Sequence, residues 1–334
     1  MRPPHRSFSL AAGICALLTL VACGARPPAQ ASSPTSRSPR VEPTTSSEAA
    51  TSARKQRLVN GAPFVYETHG EGFPIVFLHG LPTDRRSVVP RFEPLFSRAG
   101  STWRRIYPDT RGAGETPGRA EITDFDGYVA EIAEFIEQET GGQRLAIVGV
   151  SWGAYLATAY AHKHPGRVAG LALLVPALGP PKEAVRPPRS VVAAEPGVFE
   201  GASPMIVGMM NAAATVHTRR VRELFERDVA PGAAGADHAF LSKVTATRLS
   251  YHDELRTFRF DAPALVLSGK QDALDGYVQG WEFAQRLPRA TYAVLDRAGH
   301  AMAGEQMELV RAHMREWLAR VREGLGGSYE QPGL

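Results

Sequence analysis

The sequence predicts an α/β protein: a mostly parallel sheet of eight strands, covered by helices on both faces and interrupted by an inserted helical cap. Short apolar runs alternate with segments of helical periodicity through residues 56–176 and 259–323, which is typical of a parallel sheet with helical crossovers. Residues 177–258 break this alternation with a Pro-rich entry followed by mostly helical patterns. We therefore expect residues 177–258 to form a cap between two strands of the core.

The expected strands are short runs of β-branched and other apolar residues bounded by turn residues. Asn60-Gly61 favours a type I′ turn, so the runs on either side of it predict a hairpin. In chain order, the eight strands are expected at residues 57–59, 64–68, 74–78, 105–107, 145–148, 168–175, 264–267 and 291–295.

Helical spacing of apolar residues fills the gaps between these strands. Thr123 and Asp126 form a capping pair that is expected to open the first long helix. Other helices are expected up to about His164, and at residues 278–287 and 306–321. The Gly-rich residues 324–334 predict a frayed tail.

The N-terminus has the pattern of an export signal. Arg2, His5 and Arg6 precede an apolar run from Phe8 to Ala22. Such a run is too short to span a hydrocarbon core of roughly 30 Å, so it indicates a cleaved signal peptide over residues 1–22.

This run ends in Leu20-Val21-Ala22-Cys23-Gly24, which resembles the lipobox of bacterial lipoproteins. The resemblance implies cleavage before Cys23 and acylation of that residue, and several acyl chains on one residue suffice for stable anchoring. Residues 23–55 are rich in Pro, Ser and Thr and predict a disordered tether. The expected location is the bacterial cell envelope, outside the cytoplasm, with membrane contact through Cys23. A plain secretory signal with an incidental cysteine is the alternative.

Charge and cysteine content exclude several kinds of partner. The net charge is +4 and no basic stripe interleaves with aromatic residues, so no nucleic-acid partner is expected. The two cysteines, Cys15 and Cys23, precede the globular part, which therefore lacks disulfides and Cys-based metal sites. His162 and His164 have no acidic ligand near them in sequence, and residues 112–114 form a turn rather than a dinucleotide loop. We expect no metal and no cofactor, and the sequence carries no signal for oligomeric state.

The strongest chemical signal is Gly149-Val150-Ser151-Trp152-Gly153, which follows an apolar strand and precedes an Ala-rich helix. A serine on such a sharp turn projects its hydroxyl outward and requires small residues two positions away on each side. The helix N-terminus then faces any developing negative charge. Ser151 is the expected nucleophile.

A serine hydroxyl needs a base, and that base needs an orienting acid. His300 follows the last expected strand, and Asp272 follows the strand before it. Because the carboxyl ends of parallel strands share one edge of the sheet, we expect the three side chains to meet there. Asp275 is a rival for the acid, but it lies farther from the strand end.

The loop after the strand at residues 74–78 begins His79-Gly80-Leu81. We expect the backbone amides of Leu81 and Trp152 to hold an oxyanion. His79 is expected to be a structural hydrogen bonder of this loop rather than a second base.

Several motifs together resemble the α/β-hydrolase superfamily over roughly residues 56–322. They are His79-Gly80, Asp109-x-Arg111-Gly112-x-Gly114, Gly149-x-Ser151-x-Gly153, Gly269-x-x-Asp272 and Gly299-His300. The elbow and the helix end at residues 160–165 are similar to prolyl iminopeptidase-like and related capped hydrolases. The resemblance implies hydrolysis through an acyl-enzyme. Serine at position 151 argues against haloalkane dehalogenases and epoxide hydrolases, which use a carboxylate nucleophile.

The expected substrate is a small-molecule ester, lactone or amide. Residues 180–260 carry nine arginines and nine acidic residues, so no net negative charge favours the cationic substrate of an iminopeptidase. The Met-rich stretch at residues 204–210 either faces the active site as an acyl-binding wall or packs the cap onto the core. A prolyl iminopeptidase-like aminopeptidase is the first alternative, and a catalytically silent surface binding protein is the second.

Overall fold

The computed structural model describes residues 52–97, 101–178 and 185–327. The predicted signal peptide, Cys23 and almost all of the predicted tether lie outside the described residues. The first strand begins at Ser52, four residues before the expected start of the core at residue 56. Within the described ranges, no helix is both long and apolar enough to cross a bilayer.

Eight strands form a single sheet. They are Ser52–Val59 (β1), Ala62–His69 (β2), Phe73–Leu78 (β3), Trp103–Pro108 (β4), Leu145–Val150 (β5), Val168–Leu174 (β6), Ala264–Gly269 (β9) and Ala290–Leu295 (β10); the two-residue strands Ala193–Ala194 (β7) and Val216–His217 (β8) form a separate pair. The order across the large sheet is β1-β2-β4-β3-β5-β6-β9-β10. Only the β1–β2 and β2–β4 pairs are antiparallel, so the predicted mostly parallel, eight-stranded sheet is confirmed.

Helices cover both faces of this sheet or lie in the stretch of chain between β6 and β9. They are Val89–Phe92 (α1), Phe125–Thr140 (α2), Trp152–Lys163 (α3), Pro204–Ala213 (α4), Arg219–Leu224 (α5), Ala230–Gly235 (α6), His238–Thr245 (α7), His252–Leu255 (α8), Val278–Ala284 (α9), Met302–Glu305 (α10) and Met307–Gly324 (α11). Side chains of α2, α3 and α9 pack with Val76 and Ile147 on one face. Side chains of α1 and α11 pack with Ile75 and Val148 on the other, as the two-residue period of a strand requires.

Local sequence explains the ends of these elements. Asn60 and Gly61 have φ values of 50° and 79°, the left-handed conformations that a type I′ turn needs. At the start of α2 the capping residue is Asp124, whose side chain accepts a hydrogen bond from the Gly127 amide at 2.9 Å. The predicted capping pair Thr123 and Asp126 was therefore misplaced by one residue, since aspartate caps at least as well as threonine.

Residues 185–258, which are nearly all of the described part of the expected cap, are called here the inserted segment. Its first half has an apolar cluster of its own, which includes Ile206, Met210 and Phe225. Its second half differs, because Phe240 and Leu241 of α7 belong to the same cluster as α2 and α3. The segment is not wholly helical either, since β7 and β8 pair in parallel.

Candidate active site

Ser151 stands on the turn between β5 and α3 with φ 54° and ψ −118°. This is a strained conformation for a residue with a side chain, and strain of this kind concentrates at functional sites. The Ser151 amide donates to the Leu174 carbonyl at 2.9 Å, which ties the turn to the neighbouring strand β6. Ser151 thus lies at the carboxyl edge of the sheet.

The two flanking glycines are required by the closeness of the backbone. A Cβ on Gly149 would lie 2.3 Å from the Gly153 carbonyl oxygen, and one on Gly153 would lie 2.2 Å from the Leu78 carbonyl oxygen. Such separations are shorter than any van der Waals contact, so neither position accepts a side chain without backbone movement. The Gly-x-Ser-x-Gly pattern therefore follows from the packing of β3, β5 and α3.

The predicted side chains meet at this edge. His300 follows β10, and its Nε2 lies 2.9 Å from Ser151 Oγ. Its Nδ1 lies 3.0 Å from Asp272 Oδ2, and Asp272 follows β9. Asp272 is fully buried, whereas the His300 side chain is 17% exposed. A hydroxyl, an imidazole and a buried carboxylate in series can transfer a proton away from the hydroxyl.

The rival acid, Asp275, lies farther from the imidazole, with Oδ2 at 3.7 Å from His300 Nδ1. Asp272 is also held more firmly, because its Oδ1 accepts hydrogen bonds from the Leu274 and Asp275 amides at 2.9 and 3.1 Å. The geometry favours Asp272 as the partner of His300 and leaves Asp275 as a second carboxylate beside it.

These carboxylates control the protonation of the base. Burial lowers the pKa of the His300 imidazole, but the Asp272, Asp275 and Glu305 carboxylates outweigh it and raise that pKa to about 9. Burial and the charge of Asp272 raise the pKa of Asp275 to about 6, against the opposing effect of His300.

The loop that carries His300 is clamped from two sides. Buried Glu305 accepts hydrogen bonds from the amides of Gly299 at 2.7 Å, Thr215 at 2.6 Å and Val216 at 2.8 Å. Burial raises the pKa of Glu305, and the three amides oppose that shift. On the other side, the Gln271 side chain accepts from the Ala298 amide at 3.1 Å, which joins the acid loop to the histidine loop.

The residues that carry the expected oxyanion amides lie near Ser151, since Trp152 follows it in the chain and Leu81 lines the same cavity. Leu81 and Ser151 line one cavity, and a Cβ on Gly80 would lie 3.1 Å from Ser151 Cβ. Within the described residues, neither the Leu81 amide nor the Trp152 amide donates a hydrogen bond to another residue, so both remain available to a ligand. His79 is fully buried, and its Nε2 accepts from the Thr110 amide at 3.0 Å, which confirms its predicted structural role.

A cavity of about 120 Å³ lies between Ser151 and the inserted segment. Its apolar lining includes Val88, Phe92, Met209, Leu224, Phe225 and Met302. The expectation that the Met-rich stretch faces the active site holds for Met209, which lines the cavity, whereas Met210 is fully buried in the inserted segment's own cluster. None of the residues that line the cavity carries a carboxylate. One lining residue, Arg91, carries a permanent positive charge.

The sequence analysis did not predict three residues around the site: Glu305, Gln271 and Arg91. Glu305 reaches amides some 90 residues away in the chain, and no local pattern signals that contact. Gln271 precedes the acid directly, but nothing in the sequence says which loop it joins. Among the described residues, no group of three or more His, Cys, Asp or Glu side chains is arranged to hold a metal ion.

Part of the chain matches one family model. Residues 74–204 match the family model described as alpha/beta hydrolase fold. A probable proline iminopeptidase of Leptolyngbya boryana is 37% identical over 112 residues, which are 32% of this chain and 33% of that protein. The match thus spans about a third of that relative's length. A 2-hydroxy-6-oxononadienedioate/2-hydroxy-6-oxononatrienedioate hydrolase of Paraburkholderia phymatum is 25% identical over 283 residues, 83% of this chain and 98% of that one.

Solved structures agree on the fold. An alpha/beta superfamily hydrolase from Oenococcus oeni has a TM-score of 0.74 at 22% identity, covering 80% of this chain and 99% of that one. A thermophilic esterase from Thermogutta terrifontis has a TM-score of 0.61 at 25% identity, with the same two coverages.

Proposed function

Because the chain is an enzyme with the α/β-hydrolase fold, we propose that it hydrolyses a small ester, lactone or amide through an acyl-enzyme on Ser151. The observation that carries this proposal is the hydrogen-bonded series from Ser151 Oγ through the His300 ring to Asp272. A surface binding protein without activity has no need of this series, so we set that alternative aside.

The proposed reaction has two halves. Ser151 Oγ attacks the substrate carbonyl while His300 Nε2 accepts the hydroxyl proton, and His300 then gives that proton to the leaving alcohol or amine. Water next attacks the acyl-enzyme, again losing a proton to His300, and the acid leaves as the proton returns to Ser151. Asp272 holds the imidazole in the required tautomer and stabilises the imidazolium that forms twice per turnover.

The Leu81 and Trp152 amides are proposed to stabilise the oxyanion in both halves. They belong to two different elements, the loop after β3 and the first turn of α3. An oxyanion between them would also face the positive end of α3.

The cavity lining supports an acyl group without positive charge. An aminopeptidase must bind a substrate ammonium, and a buried ammonium needs an anionic partner. Among the lining residues, which are all described, no Asp or Glu is present. The iminopeptidase alternative rests on partial matches to proline iminopeptidases. Those matches cover less than half of each relative. The lining of the cavity does not favour the iminopeptidase alternative either.

Turnover of two chromogenic substrates tests the proposal. We expect the enzyme to hydrolyse 4-nitrophenyl butyrate and to leave proline 4-nitroanilide almost untouched, with the ester activity lost in Ser151→Ala. Higher kcat/KM for the anilide would support the aminopeptidase instead. Ester hydrolysis that persists in Ser151→Ala at the wild-type rate would contradict the assignment of the nucleophile.

We further propose that the enzyme is anchored in the bacterial envelope through acylated Cys23. The support is the lipobox-like run Leu20–Gly24 after an apolar segment with basic residues before it. In a bacterial host, Cys23→Ala is expected to move the protein from the membrane fraction to the soluble fraction. Unchanged membrane retention of Cys23→Ala would exclude lipid anchoring at this residue.

A further inference from the structure

Arg91 lines the cavity beside Ser151, and the proposed chemistry does not use its guanidinium. Arg91 lies in the short helix α1, is partly buried, and borders the cavity. The other lining side chains are apolar or uncharged, apart from His300. A permanent positive charge in such a lining has no role in attack on a neutral acyl group.

The Arg91 guanidinium has no partner among the described residues. It takes part in no hydrogen bond and in no ion pair, and only the backbone of Arg91 is used: the amide donates to the Val88 carbonyl at 3.1 Å and the carbonyl accepts from Arg311 Nε at 3.2 Å. The preceding arginines differ, because Arg86 pairs with Asp84 and Arg85 pairs with Asp109.

Asp228, whose charge acts on Arg91, is already paired. Asp228 accepts hydrogen bonds from Arg227 Nε and Nη2 at 2.6 and 2.8 Å. Burial lowers the pKa of Arg91 to about 10, and the charge of Asp228 opposes this shift only in part. Arg91 therefore remains protonated at neutral pH, and its desolvated charge costs free energy until an anion pairs with it.

We propose that Arg91 binds a carboxylate at the far end of the acyl group, so that the preferred substrate is a monoester of a dicarboxylic acid. A guanidinium matches a carboxylate with two parallel hydrogen bonds, which fixes the position of the acyl chain as well as binding it. The apolar residues Phe92, Met209 and Met302 also line the cavity and would contact the methylene groups. This inference rests on the proposed function and names its substrate class.

A second cavity, of about 240 Å³, also borders Arg91. Its lining carries Arg220 and Arg227 as well as Glu223 and Asp228, so carboxylates of the protein compete there with an anion for the guanidinium groups. On the Ser151 side no carboxylate competes, so the anion is expected on that side.

Matched ester pairs test the inference. The 4-nitrophenyl monoesters of succinate, glutarate and adipate differ from the butyrate, pentanoate and hexanoate esters only by a carboxylate in place of the terminal methyl group. We expect the wild type to prefer one of the charged esters. In Arg91→Met the ratio of kcat/KM for that ester over its neutral counterpart should fall roughly tenfold to a hundredfold, the usual effect of losing a hydrogen bond to a charged group. Arg91→Lys should retain part of the preference.

Arg220→Met is the matched control, because Arg220 is exposed and lines only the second of the two cavities. It removes the same charge from the neighbourhood and should leave the ratio unchanged. A wild-type enzyme without preference for any charged ester, or a preference that Arg91→Met does not reduce, overturns the inference while leaving ester hydrolysis intact.

A binding measurement separates this inference from the proposed function. Calorimetric titration of glutarate and adipate into Ser151→Ala should show binding. The affinity should be at least tenfold lower in the double variant that also carries Arg91→Met. Equal binding by both proteins, or none by Ser151→Ala, contradicts the carboxylate site. Failure of the wild type to hydrolyse any ester, with dicarboxylate binding intact, contradicts only the proposed function.

Discussion

The Glu305 carboxylate accepts a hydrogen bond from the Gly299 amide at 2.7 Å, directly before His300. Its other oxygen accepts from the Thr215 and Val216 amides of the inserted segment. The Ala301 amide donates to the Ala213 carbonyl at 2.9 Å, so the same segment holds the histidine loop on both sides of His300. The inserted segment therefore positions the base as well as lining the cavity.

Glu305→Gln should disturb this arrangement although it conserves size. An amide offers one oxygen, so its NH₂ group must face either the Gly299 amide or the Thr215 and Val216 amides. We expect a loss of about 1–3 kcal/mol in the free energy of unfolding. The apparent pKa in the kcat/KM profile should also fall, because the Glu305 charge helps to raise the pKa of His300.

Glu308→Gln is the control, since the Glu308 side chain is 72% exposed and its pair with Arg311 is a surface ion pair. Its melting temperature and pH profile should match the wild type. If Glu305→Gln also matches the wild type in both measurements, the clamp does not position His300.

Asp272→Asn and Asp275→Asn separate the two acids near His300. The first removes the carboxylate 3.0 Å from Nδ1, and we expect kcat to fall on the order of 10⁴-fold because the imidazole loses its orienting partner. The second removes the carboxylate at 3.7 Å and should lower kcat by less than about tenfold. Steady-state kinetics on 4-nitrophenyl butyrate measures both, and the reverse ranking would assign the role to Asp275.

The pH profile follows from the same neighbours. His300 must be neutral to accept a proton, and nearby carboxylates raise its pKa to about 9. We therefore expect kcat/KM to rise with pH, with an apparent pKa above the ordinary 6.5 of histidine. Asp275→Asn removes one negative charge and should shift the rise in kcat/KM to lower pH. A shift to higher pH, or a wild-type limb below pH 6.5, contradicts this electrostatic account.

Gly153→Ala tests the packing beneath the nucleophile. The added Cβ would lie 2.2 Å from the Leu78 carbonyl oxygen, and relief requires movement of β3 or α3. We expect a loss of about 1–3 kcal/mol in the free energy of unfolding, as for other overpacked sites, together with reduced activity. Gly166→Ala is the control, because nothing lies within 4 Å of the added atom there. Equal melting temperatures for the two variants would exclude the steric reason for Gly153.

Much of this site was accessible from the sequence because its signals are local. The strand, the turn and the helix around Ser151 are contiguous, and Asp272 and His300 each follow an apolar run. A parallel sheet brings the ends of such runs together, so the position of each residue after a strand predicted their meeting.

The remaining features depend on contacts between distant parts of the chain. Glu305 reaches Thr215, and the pairing of β7 with β8 involves only two residues in each strand, too few for any periodicity. Arg91 belongs to no recognisable sequence motif. Its proposed role is inferred from a guanidinium that has no partner among the described residues. The choice of Asp124 over Thr123 as helix cap was a local ambiguity between two good capping residues.

The central claim is that Ser151 is the nucleophile of a working hydrolase, and covalent labelling tests it most directly. A fluorophosphonate probe should add one phosphonyl group per chain to the folded protein, and peptide mass spectrometry should locate it on Ser151. The Ser151→Ala variant, with a melting temperature equal to that of the wild type, should remain unlabelled. Labelling of another residue, or no labelling of the folded wild type, would contradict the claim.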